Sequence, residues 1–375
     1  MASIARDFTD YLFNRAPDIT GSVMDRAELC MKDYLAVTLA GAAANRTRWE
    51  RLLSVLPPGN AQIVGYPEKT DSRTAALING FNAHSLELDD GQRFAMIHPG
   101  APVISAVRAA ADDVGISGEK IRVGMIMGYE AACRCAIAMQ PSHKIRGYHA
   151  AGTCGTIGAA IGTAFALGMD REETGRAVAC AAGSAAGLLE MQEQGSELKP
   201  YNTGRAAMDG LTAAYMGMTG YETPEDILGG ERGFFSLFSD GADPDRLTGK
   251  TAYFEMERVY MKAYASCRHS HAAVDAAVAL YPEIRGREIA AVEVRTYRLG
   301  VKGHDHREIR GIASARLSTP YAVAAGLLYG RADLGIFDPP DPAGGRPVHG
   351  GRCETEHLPF PAGGSGHLHS EIPGT

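Results

Sequence analysis

The sequence predicts a mainly α-helical protein. A large all-helical domain is expected over residues 1–264, a smaller α+β domain over 265–338, and a tail without regular structure over 339–375. Three observations predict this. Segments with apolar residues at helical spacing, rich in Ala and Gly, recur from residue 22 to residue 218. One stretch after residue 260 alternates polar and apolar residues as a strand does. Beyond residue 339 all periodicity stops among Pro, Gly and His.

In order along the chain, "SVMDRAELCMKDYLAVTLAGAA" (22–43) sets Val23, Leu29, Met31, Tyr34, Leu35, Val37 and Leu39 at helical spacing. The same style predicts helices over 72–86, 101–114, 119–139, 151–168, 173–190 and 203–218, with Gly, Pro and Asn at the breaks. Within "GTCGTIGAAIGTAFALG", Gly152, Gly155, Gly158 and Gly162 fall three or four apart. The dinucleotide spacing is missing and no strand precedes it, so these glycines are expected to line a helix face that packs closely on a neighbour. In the second domain, helices over 270–281 and 320–329 flank "REIAAVEVRTYRLG" (287–300). There Val292, Val294 and Thr296 face one way, and Glu293, Arg295 and Tyr297 the other. "KGHDHREIR" (302–310) is expected to be a solvated turn.

The 375 residues suffice to bury a sizeable core, and 45% hydrophobic with 22% charged residues is ordinary for a globular protein. A net charge of −7 gives no support for nucleic acid as a partner. An anionic substrate would have to be held by local basic groups. No uninterrupted apolar run of membrane-spanning length is visible, and the N-terminus lacks a secretory pattern. Seven cysteines, an odd number and without a C-x-x-C pair, are expected to be reduced thiols in a cytoplasmic protein.

Four stretches carry candidate chemistry. "LELDDGQRFAMIHPG" (86–100) sets Glu87, Asp89 and Asp90 near Arg93 and His98, directly after a helix that reads as buried. "GYHAAGT" places His149 at the start of the glycine-rich helix, beside free backbone N–H groups. In "SELKPYNTGRAAMDG", Pro200 is expected to hold Lys199 extended, with Asn202 or Thr203 capping the next helix. "YMKAYASCRHSHAAVDAA" (260–277) contains Lys262, Cys267, Arg268, His269 and His271. Metal binding by His269 and His271 would need a third ligand, so carboxylate recognition by Lys262, Arg268 and a histidine is the stronger reading. No nucleophile motif, Walker loop or dinucleotide fingerprint is present, which leaves acid–base chemistry on a small anion, without metal or cofactor.

These stretches, "NGFNAHSLELDD…HPG", "GYHAAGTCGTIGAA", "KPYNTGRAAMDGLTAA", "YMKAYASCRHSHAAVDAA" and "ARLSTPYAVAAGLL", occur in an order that resembles the MmgE/PrpD family. That family includes 2-methylcitrate dehydratase, cis-aconitate decarboxylase and iminodisuccinate epimerase. The resemblance covers about residues 5–338. It implies a helical domain with an α+β lid, metal-free chemistry beside a carboxylate, and a homodimer. It also implies catalytic roles for Glu87, His98 and His149, and substrate-binding roles for Lys199, Lys262 and Tyr321, to which the residue pattern adds Arg268 as a further carboxylate-binding group.

Three positions depart from the decarboxylase pattern: the Asp90–His98 spacing is one residue longer, Gly91 replaces a hydroxyl residue, and Cys267 replaces a histidine. The expected activity is therefore that of a carbon–oxygen lyase, a dehydratase or hydratase of a small di- or tricarboxylate. Epimerisation by the same proton abstraction is an alternative. Family members continue past "GIFDP", so the resemblance further implies an altered frame or truncation near residue 339, an incomplete lid, and the possibility of a non-catalytic member.

Overall fold

A computed structural model describes residues 3–337. The main chain divides into two compact units, one comprising residues up to 190 together with 198–261, the other comprising 191–197 and residues from 262 onward. The predicted tail, 339–375, lies outside the described residues.

The first unit is mainly helical. Its helices are α1 (Ile4–Arg15), α2 (Gly21–Ala44), α3 (Arg46–Leu53), α4 (Ser72–His84), α5 (Gly100–Val114), α6 (Gly118–Met139), α7 (Ser142–Ile145), α8 (Ala150–Leu167), α9 (Arg171–Ser184), α10 (Lys199–Gly217), α11 (Phe234–Phe238) and α12 (Pro244–Thr248). Two short antiparallel strands, β1 (Ala61–Gln62) and β2 (Lys69–Thr70), pair Ala61 with Thr70. The helices begin where the sequence supplies caps. Asp71 accepts from Arg73 and Thr74 ahead of α4, Ser117 accepts from Lys120 ahead of α6, and Asp170 forms a capping box with Glu173 ahead of α9.

Close approach of backbones organises the bundle. The glycine face of α8 packs against α6, and a Cβ on Gly158 would stand 2.5 Å from Ala132 Cβ and 2.6 Å from the Gly128 carbonyl oxygen. Gly80 of α4 meets Gly204 of α10 in the same way, where an added Cβ would come 2.9 Å from the Gly204 Cα. Helix α8 has the length and mean hydropathy, 1.4, of a membrane span, but 89% of it is buried within the protein. A buried polar knot joins distant segments. Arg134 donates to Glu130, to the carbonyl of Gly249 at 3.0 Å and to Thr251 at 2.9 Å, while Tyr11 donates to Glu130 at 2.8 Å. Each partner satisfies what would otherwise be a costly buried charge.

Three local expectations are corrected. The helix predicted over 173–190 stops at Ser184, because residues 187–189 pair instead with 147–149: His149 N donates to Gly187 O at 3.1 Å and Leu189 N to Gly147 O at 2.8 Å. Lys199 is not extended but is the first residue of α10, and Leu198, rather than Asn202 or Thr203, occupies the cap position. Proline near a helix start costs no hydrogen bond, because that N–H has no partner within the helix. Thr203 instead donates to the carbonyls of Gly80 and Pro200.

The second unit contains α13 (His271–Ile284), α14 (Arg298–Val301), α15 (Ile312–Leu317), α16 (Thr319–Tyr329) and α17 (Leu334–Phe337). Helices α13 and α16 pack at Gly326, whose absent Cβ would stand 2.8 Å from Ala277 Cβ. The strand predicted over 287–300 does not form. Val292, Val294 and Thr296 are half-buried and Glu293, Arg295 and Tyr297 exposed, as the alternation requires, but no described segment pairs with them. An extended segment without a hydrogen-bonded neighbour is not a strand. Nor is 302–310 wholly a solvated turn, since His304 is buried and its Nδ1 donates to the Leu317 carbonyl at 3.0 Å.

The glycine packing predicts a contrast. Gly158→Ala should destabilise the protein by about 1–3 kcal/mol through overpacking. Gly175→Ala, in α9 with open space around it, should be neutral or stabilising by up to about 1 kcal/mol. Urea unfolding of the two variants measures both; equal effects would contradict the packing account.

Candidate active site

The loop from α4 to α5 carries most of the site. Helix α4 ends at His84, and Glu87 follows with φ of 51°, a left-handed conformation that a non-glycine residue adopts at a cost of roughly 1 kcal/mol or more. Gly91 then pairs with Tyr260: Gly91 N donates to Tyr260 O at 3.0 Å and Tyr260 N to Gly91 O at 2.9 Å. A Cβ on Gly91 would collide with the Tyr260 ring, which accounts for glycine at this position. Gln92 folds the rest of the loop. Its amide oxygen accepts from Phe94 and Ala95, its amide nitrogen donates to Glu255, and its backbone pairs with Ile97. This turn sets the Asp90–His98 spacing.

The two aspartates have distinct structural tasks. Asp90 accepts from Gly100 N at 3.0 Å, at the start of α5, and from the Tyr129 hydroxyl at 2.7 Å. Burial pushes its carboxyl up to about 7, against the opposing effect of those hydrogen bonds. Asp89 is buried and its Oδ2 lies 2.8 Å from His84 Nδ1 and 3.7 Å from His98 Nδ1. Arg93 stacks over Phe94 at 4.5 Å.

Two further histidines gather around His84. Its ring centre lies 4.9 Å from that of His98 and 5.6 Å from that of His149. The Asp89 carboxylate accepts from His84 Nδ1, so that nitrogen carries a proton, and His84 Nε2 faces Glu87 Oε1 at 3.7 Å. His98 Nδ1 donates to the Asp90 carbonyl at 2.6 Å. A carbonyl only accepts, so in the neutral ring of His98 the basic nitrogen is Nε2. His149 is the cap residue of α8, and its Nδ1 is buried with no hydrogen-bond partner among the described residues. Burial, then the charges of Lys199, His84 and His98, hold it well below the usual histidine range. It is therefore a neutral imidazole near pH 7.

Lys199, at the start of α10, donates to Glu87, and both are more than nine-tenths buried. The structure thus brings together four predicted residues: Glu87, His98, His149 and Lys199. It adds His84 and gives Asp89 a direct role in orienting it. Sequence reasoning missed His84 although a signal existed, because a histidine ending a buried helix stands three and five residues before two carboxylates.

Lys262, Arg268 and Tyr321 belong to the second unit. Burial and then Lys262 and Arg268 push His271 down to about 4. His271 Nε2 bonds to the Ser266 carbonyl at 3.2 Å. The Tyr321 hydroxyl donates to the Ile336 carbonyl at 3.0 Å.

The depressed basicity of His149 fixes the sign of a pH effect. The unfolded chain binds a proton here near pH 6.5 and the folded chain only far below it, so the contribution to stability is present above about pH 6.5 and lost as the pH falls. Between pH 7.5 and 5.5, His149→Gln should lose less stability than the unsubstituted protein, by up to about 1.4 kcal/mol per pH unit below 6.5. Urea unfolding at the two pH values measures this, and parallel losses would contradict it.

A model of the MmgE/PrpD N-terminal domain matches residues 4–247, and one of the MmgE/PrpD C-terminal domain matches residues 264–344. The chain is 29% identical over 294 residues to a cis-aconitate decarboxylase of Aspergillus terreus (strain NIH 2624 / FGSC A1156), covering 72% of this chain and 59% of that protein. It is 27% identical over 253 residues to a cis-aconitate decarboxylase-like protein of Aspergillus oryzae (strain ATCC 42149 / RIB 40), covering 64% and 51%. It is 24% identical over 273 residues to the cis-aconitate decarboxylase of Homo sapiens, covering 70% and 56%. The chain therefore spans less than two thirds of the length of each of these relatives. With matches to both family domains and the ordered motifs in place, the chain belongs to the MmgE/PrpD family.

Proposed function

We propose that this protein is a lyase of a small di- or tricarboxylate, working by proton transfer at a carbon beside a carboxylate. The observation that carries the proposal is the grouping of His98 and His149 around His84, which Asp89 holds, beside the Lys199–Glu87 ion pair. Lys199 supplies the positive charge that an anionic substrate needs in a protein of net charge −7. A substrate carboxylate would replace Glu87 as its partner.

In the proposed reaction His98, through Nε2, removes the proton. The C–H electron pair passes into the adjoining carboxylate as an enediolate, whose charge Lys199 offsets. The Asp90 carbonyl and Asp89 stabilise the imidazolium so formed. The negative charge of the bound substrate and of the enediolate opposes the burial and the neighbouring positive charges that depress His149, so His149 takes up a proton. It then gives that proton to a leaving β-hydroxyl, the C–O bond breaks, and water departs. His84 is a positioning residue in this scheme: held by Asp89, it fixes the spacing of the two other rings.

A dehydratase or hydratase, 2-methylcitrate dehydratase-like, is the reading we prefer, because two features depart from the decarboxylase pattern and speak against decarboxylation while leaving the substrate open. Gly91 lies against the Tyr260 hydroxyl where that pattern has a hydroxyl side chain, and the loop with the Gln92–Ile97 pairing is one residue longer before His98. The names of the relatives favour a second reading, decarboxylation of cis-aconitate, in which the same groups protonate the carbanion left by carbon dioxide. Epimerisation shares the first step and then returns a proton to the opposite face of the same carbon. The substrate-binding roles expected of Lys262 and Tyr321, and the homodimer, rest on the family resemblance; that of Arg268 rests on its place in the same basic stretch, and the cytoplasmic location on the cysteine pattern.

Incubation with 2-methylcitrate and with cis-aconitate, followed by product analysis, separates water loss from carbon dioxide release. His98→Ala and His149→Ala should each lower kcat by about 10²–10⁴-fold on whichever substrate turns over. Lys199→Ala should raise KM as well. Unchanged rates in both histidine variants would overturn the assignment. Binding of citrate-like anions without any turnover would favour a non-catalytic family member.

A further inference from the structure

The second unit contains a cluster that the lyase reading does not use. One ligand atom from each of Cys267, His269 and His304 lies within 4.8 Å of the others. The sequence alone presented His269 and His271 as a pair in need of a third ligand. The structure rearranges that set, because His271 is turned to the Ser266 carbonyl, whereas His304 comes in from the 302–310 loop beside Cys267.

We propose that Cys267, His269 and His304 form a binding site for a single zinc-class divalent cation, with the fourth position left to water or a small anion. Donors 2.0–2.3 Å from one tetrahedral zinc stand about 3.5 Å apart. The Cys267 sulfur and His304 Nε2 are 3.7 Å apart, close to that spacing without any movement of the backbone.

The ligands are also preset. His304 Nδ1 donates to the Leu317 carbonyl, so in the neutral ring Nε2, the nitrogen facing the sulfur, carries the lone pair. His269 Nδ1 contacts the Tyr297 hydroxyl, which orients that ring. One short stretch holds both Cys267 and His304: Cys267 N donates to the Arg316 carbonyl at 2.8 Å, and Thr319 N donates to the His304 carbonyl at 2.8 Å. Cys267 and His269 are half-buried, so an ion can enter, and His304 is buried beneath them.

A thiolate with two imidazoles is a donor set that selects zinc or cobalt(II) over magnesium or calcium. On binding, the Cys267 S–H bond breaks, the thiolate electron pair forms the metal–sulfur bond, and the proton is released to solvent. No change of oxidation state is involved.

The test uses the whole chain, stripped with a chelator and titrated with cobalt(II) and with zinc alone. One equivalent of cobalt should bind and give tetrahedral d–d bands with a thiolate-to-cobalt charge-transfer band. Cys267→Ser should abolish the charge-transfer band, and Cys267→Ser, His304→Ala and His269→Ala should each weaken binding at least about 10-fold. Zinc should also slow alkylation of Cys267, read by peptide mass, without slowing that of Cys180, the other partly exposed cysteine among the described residues. That second readout needs no variant to fold. Absence of stoichiometric binding, or alkylation of Cys267 indifferent to zinc, would overturn the proposal. So would binding retained in Cys267→Ser but lost in His98→Ala, which would place the ion at the other grouping of His84, Asp89 and His98.

Discussion

The ion pair between Lys199 and Glu87 is the interaction on which the architecture of the site depends. Two charged groups more than nine-tenths buried stabilise each other, and breaking a buried pair by removing one partner typically costs about 3–5 kcal/mol. The pair requires the start of α10 to lie against the loop leaving α4. The contact of Gly80 with Gly204 brings those helices close enough, and the left-handed backbone at Glu87 turns its carboxylate toward the lysine. Backbone packing, local strain and charge thus converge on one point, and the histidines are arranged around it.

The same burial separates the acid–base roles. Asp89 stays committed to His84, Asp90 is pushed up toward neutrality while tying α5 to Tyr129, and His149 is kept neutral by its surroundings. A cluster in which each titratable group has a different environment can hold one proton donor and one acceptor at the same pH.

Most of the first unit was legible in the sequence. Apolar periodicity located the helices from 22 to 218, and the glycine spacing of α8 correctly indicated helix packing. Glu87, His98, His149 and Lys199 were singled out as candidates chiefly through the family resemblance, and the structure draws them together. His84 was not, since its importance comes from two rings brought to it by α5 and α8, far away in sequence. Lys199 was placed on the wrong backbone: the rule that proline disfavours a preceding helical residue yields at a helix start. In the second unit, the alternation of 292–297 described which side chains are shielded but could not supply a pairing partner. His304 was hidden in a charged loop, and only its contact with Leu317 reveals that it is buried.

The central claim is that the histidine cluster moves a proton at a carbon beside a carboxylate. Incubation with 2-methylcitrate, citrate and cis-aconitate in deuterated water, followed by nuclear magnetic resonance of recovered substrate and product, tests this without presupposing which bond breaks next. The account predicts deuterium at the carbon adjoining a carboxylate for at least one of these compounds, lost when His98 and His149 are both replaced by alanine. Hydration or decarboxylation of cis-aconitate that leaves no deuterium at that carbon of the product, or exchange undiminished in the double variant, would contradict it.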